Sequence, residues 1–226
     1  MIAIENTRVF GFEMAVKGAR NPMNSRDQSD SYYPDDQFSA AFVMGEKDLA
    51  LLTRLSKAGP DHGKFMRMIH VQCDVTAPLY WWKEADQYKV GTTTDSCSTM
   101  HKIHAKEFTI GDFSHDQLGD DYPIEVRMPC LRGSRYYFPR EVMEITISAL
   151  NALRVLYLET KEKKYWYDMI QLLPSSYNQM RTWDLDYAVL KNIYWARKDH
   201  KLKEWHVLCD WIKTLPYARQ LICEEV

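Results

Sequence analysis

The stretch from Val90 to Met100, VGTTTDSCSTM, is dense in small hydroxyl side chains. It follows LYWWKEADQYK, which reads as a short aromatic helix whose start is set by Pro78. A loop seated on the end of a helix offers backbone N–H groups and hydroxyls to an anion or a heterocycle. A solvated Thr/Ser turn with no ligand has the same composition, so the pattern leaves both readings open. Cys97 lies inside this loop. A thiol near a helix end can have a lowered pKa and act as a nucleophile toward an electron-poor ring. No base partner is identifiable in the sequence, and an inert buried cysteine is the plainer alternative.

Other residues invite similar weighing. His101 and His104 fall on one helical face, and His115 follows. An i, i+3 histidine pair with no cysteine or carboxylate cluster is a weak metal signal, so we assign these residues a structural role and no metal site. Asn192 and Arg197 stand five residues apart in a helical segment. A charged helix face is the alternative for Arg197, which sits in WARKDHK. His62 follows Gly-Pro-Asp, where it can cap a turn, and Lys89 can be an ordinary exposed lysine.

The elements that must position these groups follow from periodicity. Residues 1–16 alternate loosely and suggest a strand. Residues 18–37 are polar and read as a loop. GEKDLALLTRLSKA, residues 45–58, is an amphipathic helix stopped by Gly59-Pro60. Phe65 to Thr76 reads as a strand with Val71, Cys73 and Val75 on one face. His101 to Phe108 suggests a second short helix, and residues 109–139 a long irregular excursion. Arg140 to Thr160 is the clearest helix, with a stripe of Val142, Ile145, Ile147, Leu150, Leu153 and Leu156. Helices are also expected over 163–173, 185–197 and 203–215, the last closed by Pro216. The expected architecture is a single mixed α/β (α+β) domain over 1–226, helix-rich toward the C-terminus, without internal repeats.

Bulk properties narrow the functional classes. The chain has 226 residues, 46% of them hydrophobic and 27% charged, with nine Gly and nine Pro. That is a globular composition, long enough for a substantial core. The formal net charge of −2 gives no bulk attraction to polymeric nucleic acid or an anionic membrane, though a local basic pocket for one phosphate is compatible with it. The five cysteines are odd in number, widely spaced and without a C-x-x-C, against a disulfide framework and a structural zinc site. No apolar run approaches the ~20 residues of a membrane span, and MIAIENTRVF lacks a leader pattern. A reducing, cytoplasmic setting is expected.

Two separated blocks resemble the flavin-dependent thymidylate synthases, the ThyX family. The first is HGKFMRMIHVQCDVTAPLYWWKEADQYKVGTTTDSCSTMHKI, in which His62 and Ala77-Pro78 stand where the family has a histidine, a strand and an Ala-Pro. The second is LLPSSYNQMRTWDLDYAVLKNIYWARKDH, in which Leu173-Pro174, Trp183, Asn192 and Arg197 fall on family positions. Together they span about a third of the chain. The resemblance implies a ThyX-like fold with a small mixed antiparallel sheet. It also implies a homotetramer acting on dUMP or a related pyrimidine nucleotide, with FAD, NADPH and methylene-tetrahydrofolate.

The family's signature, Arg-His-Arg-x-x-Ser-x-Asn-Glu-x-Ser-x-Arg, is replaced here almost throughout. Its first three positions read Gln87, Tyr88 and Lys89. Thr92 and Thr94 stand for its Ser and Asn, Asp95 for its Glu, Cys97 for its second Ser and Thr99 for its last Arg. Glu84 stands for an upstream glutamine and Ile170 for a second phosphate-gripping arginine. By the resemblance, His62, Tyr88, Lys89, Thr92, Thr94, Asp95 and Asn192 would hold the cofactor. Glu84, Gln87, Cys97, Thr99 and Arg197 would hold the nucleotide, with Arg197, and Cys97 as a nucleophile toward the pyrimidine, in catalysis. Lysine replaces a lost guanidinium only as a point charge. Two alternatives therefore stand beside the enzyme. One is a catalytically inactive ThyX-like fold that binds a nucleotide or a protein in a regulatory role. The other is a related chemistry on another acceptor, adapted through Cys97 and Lys89.

Overall fold

The computed structural model describes residues 2–34, 42–128 and 133–224. Cys130, the end of the polar segment 18–37 and the middle of the excursion 109–139 lie partly or wholly outside these residues. The architecture is mixed α/β, as expected, with a four-stranded sheet in the order β1-β2-β6-β3 and a separate two-stranded hairpin. The strands are β1 (Ala3–Phe10), β2 (His70–Pro78), β3 (Thr92–Ser96), β4 (Ile124–Met128), β5 (Gly133–Tyr137) and β6 (Asn178–Asp186). The helices are α1 (Phe12–Arg20), α2 (Glu46–Lys57), α3 (Leu79–Ala85), α4 (Thr99–Lys102), α5 (Pro139–Thr160), α6 (Lys163–Leu172), α7 (Tyr187–Arg197) and α8 (Lys203–Ile212). Among the described residues no helix is long and apolar enough to cross a membrane.

β2 and β6 run antiparallel. Asp184 is bonded to His70 and Gln72, while Thr182 donates to Asp74, so numbers rise on one strand as they fall on the other. β2 bears out its expected alternation, with Val71, Cys73 and Val75 buried. It starts later than the sequence suggests, because Gly63–Met68 forms a 3-10 turn instead. That turn buries Phe65 and Met66 and is packed by α1, α2 and α7.

Several expectations are corrected. The strand expected over 1–16 ends at Phe10, and α1 follows. Phe12, Ala15, Val16 and Ala19 are its buried apolar residues, an i, i+3, i+4, i+7 set that short alternation had masked. The turn between strand and helix requires Gly11, at φ +98°, where a Cβ would lie 1.9 Å from the Met68 carbonyl oxygen. Residues 92–96 form an edge strand rather than a loop, which suits β-branched threonines. β6 was missed because its exposed face, with Thr182 and Asp184, is as polar as a loop, although Trp183 and Leu185 are buried. The helix expected over 101–108 is the shorter α4, capped by Ser98. The excursion 109–139 contains the antiparallel hairpin β4–β5, with Ile124 opposite Tyr137.

The chain divides into two compact units. One comprises Thr76–Glu84 and Ser96–Met180, the other Ile2–Val75, Ala85–Asp95 and Arg181–Val226. In the first, α5 and α6 pack together over Ile103, Phe108, Phe113, Ile147, Leu150 and Met169. The stripe expected on α5 is rotated. Met143, Ile147, Leu150, Leu153 and Tyr157 face this core, whereas Ile145 and Leu156 are exposed. In the second unit α7 packs against the 3-10 turn, α8 and a π-helical turn at Arg219–Cys223.

The second unit also holds a buried charged knot. Arg20 Nε donates to Asp48 Oδ1 at 2.5 Å, with the two side chains 5% and 0% exposed. Asp48 Oδ2 accepts from the hydroxyls of Ser29 and Ser31, each at 2.6 Å, and from the backbone N–H groups of Asp30 and Ser31. Burial works to raise the Asp48 pKa, but these donors and Arg20 outweigh it and hold the carboxyl below its ordinary range.

Candidate functional site

α7 is launched from β6 by Asp186, whose side chain accepts from the Val189 N–H at 2.8 Å as an N-cap. Burial raises the Asp186 pKa, partly offset by the Val189 and Ala188 N–H groups. The same carboxylate closes over the turn after α3. At Gly91, φ +76°, a Cβ would come within 2.5 Å of Asp186 Oδ2, so this approach also requires glycine. The turn is fixed further by Thr92, whose hydroxyl donates to the Tyr88 carbonyl. In this way Tyr88 is brought beneath the far end of α7.

Tyr88 and Arg197, 109 residues apart in sequence, meet there. Arg197 Nε donates to the Tyr88 hydroxyl oxygen at 2.9 Å. The guanidinium lies 4.6 Å from the centroid of Trp205 on α8, and the Tyr88 ring meets Trp205 edge-on at 6.1 Å. A hydrogen bond at one edge and a ring at one face fix the plane of the guanidinium. Trp205 is a member of this cluster that the sequence reading did not single out. No motif marks it, because α8 reads as an ordinary amphipathic helix.

One turn back on α7, Asn192 lines a cavity of about 480 Å³. Pro60 and Gly63, the near neighbours of His62, also line it, while His62 itself is exposed at the start of the 3-10 turn. Three cations face the cavity: Lys57, Arg67 and Lys191. Lys191 Nζ donates to the Ser56 carbonyl at 2.6 Å, and burial, with Lys57 nearby, lowers its pKa. Lys57 pairs with Glu224 at 2.8 Å. The sequence reading missed all three cations, since each looks like an ordinary charge on its own segment.

The remaining candidates are more dispersed. Gln87, Lys89, Thr94 and Asp95 are exposed on the turn and the edge strand, and Thr92 is half-buried. Glu84, Cys97 and Thr99 belong to the other unit. Glu84 and Thr99 are half-buried, and Cys97 is exposed rather than buried. The Cys97 N–H donates to the Met180 carbonyl and its own carbonyl accepts from Gln179 Nε2. Among the described residues no hydrogen-bonded base reaches its thiol. Cys97 and Thr99 line a cavity of about 320 Å³ with Lys106, Asp112 and Tyr177. Ile170 packs against the core of this unit, which explains an apolar residue there. The His104 ring sits edge-on to Tyr157, and His115 Nδ1–H donates to the Phe113 carbonyl.

No family model matches the sequence, and no curated protein matches it. Solved structures do. Thymidylate synthase X (ThyX) from Helicobacter pylori, crystallised with FAD and dUMP, superposes with a TM-score of 0.65 at 17% identity, over 98% of this chain and 97% of that one. A second structure of the same Helicobacter pylori enzyme with FAD and dUMP gives 0.64 at 17% identity, over 97% of each chain. The UMP/dUMP methylase PolB from Streptomyces cacaoi, bound with 5-Br dUMP, gives 0.60 at 14% identity, over 99% of this chain and 95% of that one. In fold, the chain is a divergent ThyX-like protein.

Proposed function

We propose that the protein binds a pyrimidine nucleotide and carries out a flavin-dependent reductive methylation of dUMP or a related pyrimidine nucleotide. The observation that carries the reading is the contact between Tyr88 and Arg197. Two positions chosen from separate sequence blocks meet at one place, on a fold shared with structures that hold FAD and dUMP. The donor set suits a flavin nucleotide. Beside Asn192, the cavity combines cations with the apolar walls of Pro60, Met66 and Ala188, as a ligand with a phosphate end and a planar ring requires.

FAD, when bound, supplies the hydride chemistry, with NADPH as reductant and methylene-tetrahydrofolate as one-carbon donor. By the resemblance, His62 and Asn192 would hold the flavin together with Tyr88, Lys89, Thr92, Thr94 and Asp95. Gln87 would likewise contact the nucleotide, and Glu84, Cys97 and Thr99 stand at family nucleotide positions in the other unit. Arg197 stabilises charge developing on the pyrimidine, a task for which a guanidinium of fixed plane needs little reorganisation. A homotetramer of single-domain chains completes the reading.

The test is the visible absorbance of the purified protein and its titration with FAD, with and without dUMP. Flavin-type absorbance or saturable FAD binding supports the proposal, as does loss of dUMP binding in Arg197→Ala. Absence of FAD binding under either condition refutes it. One observation favours a second reading, a fold that binds nucleotide or protein without catalysis: Arg197 is already engaged by Tyr88 and Trp205. Under that reading dUMP binds while FAD does not.

A further inference from the structure

The arginines of the signature are Gln87, Lys89 and Thr99 here, and the family's second phosphate-gripping arginine is Ile170, so one cation stands among the four positions. Positive charge is concentrated instead at the cavity beside Asn192, where Lys57, Arg67 and Lys191 converge. They differ in how far they are already engaged. Lys57 is paired with Glu224. Lys191 spends one donor on the Ser56 carbonyl and keeps two. Among the described residues no hydrogen bond reaches the guanidinium of Arg67, and its electrostatic partner is the buried Asp186. Arg67 thus presents a planar fork of donors at the cavity, the geometry that binds phosphate oxygens in pairs.

We propose that Arg67 and Lys191 form the phosphate anchor of this protein, taking the phosphate or pyrophosphate of the bound nucleotide in place of the missing signature arginines. The inference rests on the nucleotide-binding reading above and deepens it. The local field supports it. Lys191 is half-buried close to Lys57, and its lowered pKa reflects burial and then that like charge. A bound anion relieves both costs, so anion binding strengthens protonation of Lys191. Arg67 makes the directional contact and Lys191 supplies the charge behind it.

The experiment is calorimetric titration of the full chain with inorganic pyrophosphate, FAD and dUMP, at low and high salt. It is repeated for Arg67→Ala, Arg67→Lys, Lys191→Met and Lys89→Ala, with thermal melts to confirm folding. The expected result is binding that weakens with salt and about tenfold or more in Arg67→Ala, with Arg67→Lys recovering only part. Loss of FAD and pyrophosphate with dUMP unchanged identifies the pyrophosphate as the anchored group. Loss confined to dUMP identifies the monophosphate.

Wild-type affinity in Arg67→Ala and Lys191→Met, with weakening in Lys89→Ala, overturns the inference and returns the anchor to the signature turn. If neither nucleotide binds but pyrophosphate does, and binding depends on Arg67, the functional reading fails and the anion site stands. Absence of binding by all three ligands overturns both.

Discussion

Replacing Asp48 with alanine tests the buried knot of the second unit. The carboxylate satisfies a guanidinium, two hydroxyls and two backbone N–H groups, and its side chain is wholly buried. Alanine leaves Arg20, 5% exposed, without its counter-charge. Removing one partner of such a pair costs about 3–5 kcal/mol, because an uncompensated charge stays in a poorly solvated place. For a chain of this size that is a fall in melting temperature of roughly 6–20 °C. Urea unfolding by circular dichroism measures it directly, with Asp48→Asn as a second variant that keeps an acceptor but removes the charge. The pH dependence follows from the lowered pKa of Asp48. Its stabilisation is fully present above the unfolded value, about 3.9, and is lost as pH falls through the folded value. The advantage of the wild type over Asp48→Asn is therefore level from pH 8 to about 5 and narrows at lower pH. A loss below about 1 kcal/mol in Asp48→Ala would refute the argument, since it would mean that water or another side chain takes over Arg20.

Gly11→Ala places a methyl group 1.9 Å from the Met68 carbonyl oxygen at a φ of +98°. It is expected to cost at least about 2 kcal/mol in urea unfolding, and a neutral result would mean that the β1–α1 turn is differently shaped. Leu150→Ala opens a cavity in the core shared by α5 and α6, where Leu150 is 0% exposed, and is expected to cost about 2–5 kcal/mol. In the native protein at pH 8, iodoacetamide should label exposed Cys97 well before Cys73, whose thiol is pushed up to about 12 by burial, with Asp74 and Asp184 adding to it. Mass spectrometry of the digested protein reads the order, and early labelling of Cys73 would contradict its burial.

Much of the architecture was legible in the chain. α2, α6 and α8 announce themselves through apolar periodicity and their proline or glycine stops, and β2 through the strict alternation of Val71, Cys73 and Val75. These signals survive because each records how one element meets its own core. The ThyX-like fold was legible too, but from a resemblance in two blocks rather than from periodicity. α1, β3 and β6 were not legible. α1 buries only a narrow stripe, β3 is an exposed edge, and β6 carries a polar outer face, so composition there reports solvent rather than structure. On α5 the stripe contained more apolar residues than the core uses, and only packing against α6 decided which way it faces. The site divides in the same way. Asn192 and Arg197 could be named through the resemblance alone, since an Asn and an Arg on one helix carry no signal of their own. The partnership of Arg197 with Tyr88 and Trp205, and the convergence of Arg67, Lys57 and Lys191, join residues far apart in sequence. Such groups carry no local signature, because each is chemically ordinary until the fold sets it beside the others.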